Sequence, residues 1–213
     1  MSNDASEPIQ GGIREGILYV LSAPSGAGKT SLCREIIDFF PNLRQSISFT
    51  TRPLRKGEID GKDYHFVDRA AFEEMISEGA FAEWAEVHDN LYGTSLATLE
   101  DGRRQGVDLL LDIDCQGAAQ LRRNYRHGVY IFILPPSMEE LQGRLEGRKT
   151  DAAAVIERRL LNARDEIRQA VFYDYVVVNA EFAVAAEELK SILRAEACRV
   201  GRVLPALAGI FDF

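Results

Sequence analysis

The sequence predicts an α/β fold: a parallel sheet core flanked by helices, with an inserted mixed α/β lobe and a helical lid. Three observations carry that prediction. Apolar runs of strand length recur at Ile17–Leu21, Leu109–Ile113, Val129–Leu134 and Tyr175–Val178, with helical patterns between them. The first run leads directly into Ala23–Thr30, APSGAGKT, a glycine-bearing turn that ends in Lys-Thr and opens an amphipathic helix. Between that helix and Leu109 the alternation gives way to short strand patterns around one helix, which reads as an insertion rather than another βαβ unit.

The elements follow in chain order. After the glycine turn, Leu32, Ile36, Ile37 and Phe40 recur at helical spacing until Pro41 stops the helix. Ser46–Thr50 is a shorter strand candidate. In the insertion, Tyr64–Val67 and the stretch Phe81–Tyr92 read as short strands, with a helix over Ala71–Glu78 between them. Pro135 and Pro136 end the strand at Val129–Leu134. Ser137 then caps the next helix, with Glu140 three residues on as its capping-box partner. The stretch Leu141–Ala170 is helical, arginine-rich and interrupted by Gly147, which suits a mobile lid. Phe182, Ala185, Ala186, Leu189, Ile192 and Leu193 form a helical stripe that packs on the sheet. Val203–Phe213 is apolar without a period that assigns it an element. The resulting division is a flexible segment 1–15 and one domain 16–213, with core 16–45, 97–140 and 171–198, lobe 46–96 and lid 141–170.

Composition limits the function classes. The 213 residues, 46% of them hydrophobic, suffice for one well-buried core with smaller lobes. No apolar run reaches the ~18 residues of a membrane span. The opening MSNDASEPIQGG lacks the basic and apolar regions of a secretory signal. With 25 basic and 33 acidic residues the formal net charge is −8, which argues against a nucleic-acid binder. Basic residues nonetheless gather at Arg44, Arg52, Arg55, Lys56 and Lys62, and again at Arg144, Arg148, Lys149, Arg158 and Arg159. Two positive patches on an acidic chain point to small anionic ligands. Cys33, Cys115 and Cys198 are too scattered for a disulfide framework or a zinc site, and a reducing cytoplasm is expected. His65, His88 and His127 are equally scattered and read as ordinary surface or hydrogen-bonded residues.

The chemistry starts at the glycine turn. Gly26 and Gly28 let backbone N–H groups curl around an oxyanion, and the helix N-terminus adds its positive dipole end. Lys29 would reach the β- and γ-phosphates of a nucleotide, and the Thr30 hydroxyl would ligate Mg²⁺. Ala23 stands where the strict phosphate-loop pattern has Gly. Asp112 and Asp114 close the apolar run Leu109–Leu111, and a carboxylate at the C-terminal edge of a parallel strand is a usual water-mediated partner for that Mg²⁺. Arg52 and Arg55, three apart, have the fork geometry to hold one phosphate monoester, which lysine cannot reproduce. Trp84 is expected in the core rather than stacked on a base.

The segments SFTTRPLRKGE (Ser48–Glu58), GKDYHF (Gly61–Phe66), Glu83-Trp84-Ala85 and Tyr92-Gly93-Thr94, together with SAPSGAGKT and LDIDCQG, stand in the order and at the spacing of guanylate kinases. From about Ile17 to Leu193 the chain resembles that family. The resemblance implies a P-loop NTPase-type core with a GMP-binding lobe and a lid, and transfer of the γ-phosphoryl group of ATP to GMP with Mg²⁺ as cofactor. It implies that ATP meets Ala23, Pro24, Ser25, Gly26, Ala27, Gly28, Lys29, Thr30, Asn179 and Ala180. It implies that GMP meets Ser48, Arg52, Arg55, Glu58, Tyr64, Glu83, Tyr92, Thr94 and Asp114, with Glu83 reading guanine. Lys29, Arg55, Arg148 and Arg159 are its implied catalytic residues. Lys149 replaces a frequent Gly and Ala180 a common Asp. The implied partners are ATP and GMP (and dGMP), with no nucleic acid and no membrane, and with a homo-oligomer left open. Similar modules in scaffold proteins have lost ATP chemistry, but Lys29, Thr30 and the lid arginines are all present here. A GTP-hydrolysing switch would need an Asn-Lys-x-Asp segment, which is absent.

Overall fold

The computed structural model describes residues 14–87, 89–147, 152–208 and 210–211. A five-stranded parallel sheet in the order β2-β7-β1-β8-β9 forms the core. Its strands are β1 (Leu18–Ser22), β2 (Leu43–Gln45), β7 (Asp108–Asp112), β8 (Gly128–Leu134) and β9 (Tyr175–Val178). All five residues of β1 are buried. Ile17, Tyr19 and Leu21 pack on one face of the sheet, while Leu18 and Val20 pack on the other. That two-sided burial is why the strand reads as a continuous apolar run.

The first face is covered by α1 (Lys29–Phe39) and α7 (Phe182–Ala197), which supplies the stripe Ala185, Ala186, Leu189 and Leu193. The second is covered by α3 (Leu96–Arg104) and α4 (Cys115–Asn124), through Leu99, Ala118 and Leu121. Each buried aliphatic side chain contributes roughly 1.5–3 kcal/mol relative to exposure, so the central strand is a rigid base for the loop that follows it.

A second, four-stranded sheet of order β4-β3-β6-β5 occupies the insertion. It comprises β3 (Phe49–Thr50), β4 (His65–Phe66), β5 (Phe81–Val87) and β6 (Asn90–Ser95). Its own small core joins Phe72, from α2 (Arg69–Ser77), to Phe81 and Leu91. The Phe72 and Phe81 rings stack at 4.4 Å. Of the expected strand at Ser46–Thr50 only Phe49–Thr50 forms, and Leu43–Gln45 is a strand the sequence did not show. Leu43–Gln45 pairs with β7 in the core, and Phe49–Thr50 pairs with β4 and β6 in the insertion. The chain leaves one sheet for the other at Ser46–Ser48.

Helix α5 (Met138–Gly147) packs on α6 (Ala153–Arg168) through Leu141, Leu145 and Ala163. The Ser137 hydroxyl accepts the Glu140 N–H at 3.1 Å, as the capping expectation requires. The return arm differs, because the Glu140 carboxylate pairs with Arg144 instead. The tail expected to be without period carries a further helix, α8 (Val200–Leu207), with Val200, Val203, Leu204 and Leu207 at helical spacing around an interior Pro205. Trp84 is a correction: it is 38% exposed, on a strand at the sheet edge. Among the described residues no helix is long and apolar enough to cross a membrane.

Candidate active site

The phosphate loop leaves β1 at Ser22 and enters α1 at Lys29. Gly26 and Gly28 both hold left-handed backbone, at φ 97° and 92°, a conformation that favours glycine. Gly28 is constrained twice, since a Cβ there would meet the Asn179 amide. That amide donates to the Ala27 carbonyl at 2.7 Å. Asn179, buried at the end of β9, therefore braces the loop from below. The Asn179 carbonyl in turn accepts from the Arg144 guanidinium at 3.0 Å. Ala180 is exposed, and its N–H donates to the Val178 carbonyl at 2.9 Å.

The loop encloses a cavity of about 340 Å³ lined by Ala23, Pro24, Ser25, Gly26, Gly28, Lys29, Thr30, Ser31, Asp114 and Glu166. Ala27 is fully buried behind it. The Lys29 ammonium forms an ion pair with Asp112, at the end of β7. Burial lowers its pKa from the usual lysine range, opposed by the nearby Asp114 and Glu166 carboxylates. Cys33, one turn into α1, lies 3.9 Å from Asp112, and burial pushes its thiol up to about 11.

A second cavity of about 300 Å³ opens between the two sheets. Its walls are Ser48, Tyr64, Glu83, Ala85, Val87, Tyr92, Gly93, Asp112, Ile113 and Asp114. Glu83 is buried on β5 and accepts the Thr94 hydroxyl at 2.5 Å. Burial raises its carboxyl pKa, and Asp114 adds to that. Gly117, in the first turn of α4, makes this approach possible: a Cβ there would sit 3.0 Å from Glu83 Oε2. Asp114 caps α4 by accepting the Gly117 N–H at 2.8 Å. It belongs to both cavities, so the two sites meet at one residue.

Arg52 is buried and lies over the rings of Phe66 and of Tyr64, which lines the second cavity, at 5.6 and 5.5 Å. It donates to the Pro53 carbonyl at 2.8 Å and to Glu58 Oε1 at 2.7 Å. The other Glu58 oxygen accepts the Arg55 N–H at 2.8 Å. Both oxygens of Glu58 are thus spent on shaping the arginine loop, and Arg52 holds the carboxyl pKa below the usual range. The Arg55 side chain is exposed. The Tyr64 and Tyr92 rings meet edge to face, with centroids 5.9 Å apart.

This architecture has known counterparts. The model of the family described as guanylate kinase matches residues 15–196. The chain belongs to the guanylate kinase family. The guanylate kinase of Syntrophotalea carbinolica is 64% identical over 199 residues, 93% of this chain and 95% of that protein. The guanylate kinase of Geobacter sulfurreducens is 62% identical, over 93% and 98% of the two chains. The crystal structure of guanylate kinase from Anaplasma phagocytophilum superposes with a TM-score of 0.70 at 40% identity, covering 94% of this chain and 97% of that one.

Within the family frame, α6 shows which of two adjacent arginines faces inward. Arg159 is partly buried and shares a face with buried Ala163, four residues on, whereas Arg158 is exposed. Arg148, expected to act with Arg159, lies outside the described residues, as does Lys149. Two contributors were not legible beforehand. Gly117 matters through a neighbour distant in sequence, and Glu166 only through the fold. The one available signal for Glu166 was its spacing of seven from Arg159, which places both on one helix face.

Proposed function

We propose that this chain transfers the γ-phosphoryl group of ATP to GMP, forming ADP and GDP. The observation that carries the reading is the meeting of two cavities at Asp114, one built around Lys29 and the other around the Glu83–Thr94 pair. The phosphate loop holds the ATP phosphates with backbone N–H groups and the α1 N-terminus. Lys29 places a charge where negative charge accumulates as the phosphoryl group moves. Arg52 and Arg55 hold the GMP phosphate, with Glu58 fixing their loop. Tyr64 and Tyr92 wall the same cavity. Arg159 from the lid, with Arg148, neutralises the transferring group when the lid closes and excludes water.

The donor set fits Mg²⁺. Thr30 lines the phosphate cavity, and Asp112 at the strand end is tied to it through the ion pair with Lys29. Thr30 would hold the ion directly and Asp112 through water. Bound there, Mg²⁺ offsets charge on the nucleotide phosphates. Guanine is selected because Glu83 accepts from both of its donors, N1–H and N2–H₂, assisted by Ser48 and Thr94. Acceptance of dGMP, a cytoplasmic location and the absence of nucleic-acid partners belong to the same reading, in keeping with the acidic charge.

A coupled assay of ADP formation, with ATP and each of GMP, dGMP, AMP, UMP and CMP, tests this directly. Turnover is expected with GMP and dGMP, at least about 10³-fold above the other nucleotides in kcat/KM. Comparable rates with AMP would remove Glu83 as the discriminator.

The Gly117–Glu83 approach gives a second test. In Gly117→Ala the new methyl displaces the Glu83 carboxyl by a few tenths of an ångström. The KM for GMP is expected to rise about tenfold, with the KM for ATP unchanged. Alanine is the better helix former by up to ~1 kcal/mol, so the melting temperature should not fall. Steady-state kinetics on both substrates beside a melting curve read all three quantities.

A further inference from the structure

Glu166 has no place in the mechanism above, yet it lines the phosphate cavity. Its position is fixed by packing. It lies on α6 one turn after Ala163, which is buried against Leu141 and Leu145 of α5. Those two leucines press on the phosphate loop, since a Cβ on Gly26 would meet them at 3.1 and 3.0 Å. Glu166 is half-buried, within electrostatic range of both Lys29 and Asp114. It is therefore held at the loop, not on a solvated lid surface.

The charge balance there is unfavourable for a bare polyphosphate. Among the described residues lining the cavity Lys29 is the only basic side chain, and it already pairs with Asp112. Asp114 and Glu166 add two more carboxylates to the wall. The α1 N-terminus and loop amides contribute only partial positive charge. ATP arriving without metal meets like charges in a partly desolvated space, which is costly. A hydrated divalent cation reverses this, because its bound waters present donors to acceptor-only carboxylates.

We propose that Glu166 is a positioning residue that faces the hydration shell of the Mg²⁺ held by Thr30, and that it makes the site discriminate Mg·ATP from metal-free ATP. The inference rests on the phosphotransferase reading. The carboxylate does not touch the transferred group. It raises the affinity of one form of the nucleotide and lowers that of the other.

The test is equilibrium binding of ATP to the full chain in the absence of GMP, once with excess Mg²⁺ and once with EDTA. The quantity read is the ratio of the two dissociation constants. Glu166→Gln keeps the shape and removes the charge. It is expected to bind metal-free ATP more tightly and Mg·ATP more weakly, lowering the ratio about tenfold. Glu166→Ala should lower the ratio in the same direction, and melting curves establish that both variants are folded. A wild-type ratio in folded variants, with both affinities unchanged or shifted together, overturns the proposal, since a purely packing role moves both alike. Failure of the wild-type protein to bind ATP in either condition would instead overturn the phosphotransferase reading, and this inference with it.

Discussion

Replacing Lys29 by methionine should lower turnover with ATP and GMP by at least about 10³-fold while leaving a folded protein. Removing one preorganised donor from a site where charge develops typically costs 10²–10³ in kcat, and a full ammonium in a largely buried position is worth no less. Lys29 is well placed for this effect. Burial has stripped its water, which pulls the pKa down, and the nearby Asp114 and Glu166 carboxylates oppose that shift. Methionine matches the length and apolar stem, so α1 retains its start and the loop its packing. The variant leaves Asp112 without its partner. The Asp112 side chain is 24% exposed, however, and water replaces part of what is lost. The melting temperature should therefore drop by no more than several degrees. A coupled assay beside a far-UV melting curve measures both quantities. Retention of more than about a tenth of wild-type turnover would show that the loop backbone and the arginines suffice, and that Lys29 is a structural counter-ion to Asp112.

What could be read in advance divides along a physical line. Strand β1, the glycine turn and the helix after it are specified by residues close in sequence: a buried run, two glycines in left-handed backbone, and a 3.6-residue apolar period. The strand-end carboxylates follow from the same logic. Features set by distant chain segments were not readable. Arg144 stands in sequence as another lid cation, but the fold ties it to Glu140 and the Asn179 carbonyl. Asn179 stands beside the adenine by resemblance, and what the sequence did not show is that its side-chain amide donates to the Ala27 carbonyl of the loop. Glu58 reads as one more polar neighbour of GMP, yet both of its oxygens are engaged by the arginine loop. Trp84 follows the general burial of aromatics into an expected core position, which the edge strand overrides. Helix α8 keeps a helical apolar spacing at Val200, Val203, Leu204 and Leu207, but its interior Pro205 is a residue that argues against a helix. In each case the residue type was informative about chemistry, and its partner was not.

Glu83→Gln should reduce kcat/KM for GMP by about 10³-fold and leave the low activity with AMP unchanged, so that base preference collapses. An ionised carboxylate accepts from both guanine donors, whereas a glutamine amide has one acceptor and turns an N–H₂ toward a donor. Sites that hydrogen-bond a polar substrate group reject mismatches strongly because the groups left behind are buried and unpaired. The pH profile separates this role from simple packing. Burial raises the Glu83 pKa above the ordinary carboxylate value of about 4.3, with Asp114 acting in the same direction and the Thr94 hydroxyl opposing. As pH falls through that raised value Glu83 takes up a proton and loses its second acceptor, so kcat/KM for GMP declines on the acid side. Stability moves the other way. A carboxyl whose pKa is raised by folding favours the native state most below the unfolded value, and this contribution is lost as pH rises through the folded value. Between the two pKa values, acidification should thus steady this residue in the fold while weakening guanine binding. The GMP phosphate also titrates in acid, but it does so equally with wild type and with Glu83→Gln. The ratio of the two profiles isolates the side chain, and it should fall toward low pH. A flat ratio would mean that Glu83 does not act in ionised form, and guanine selection would then rest on Ser48, Thr94 and the backbone.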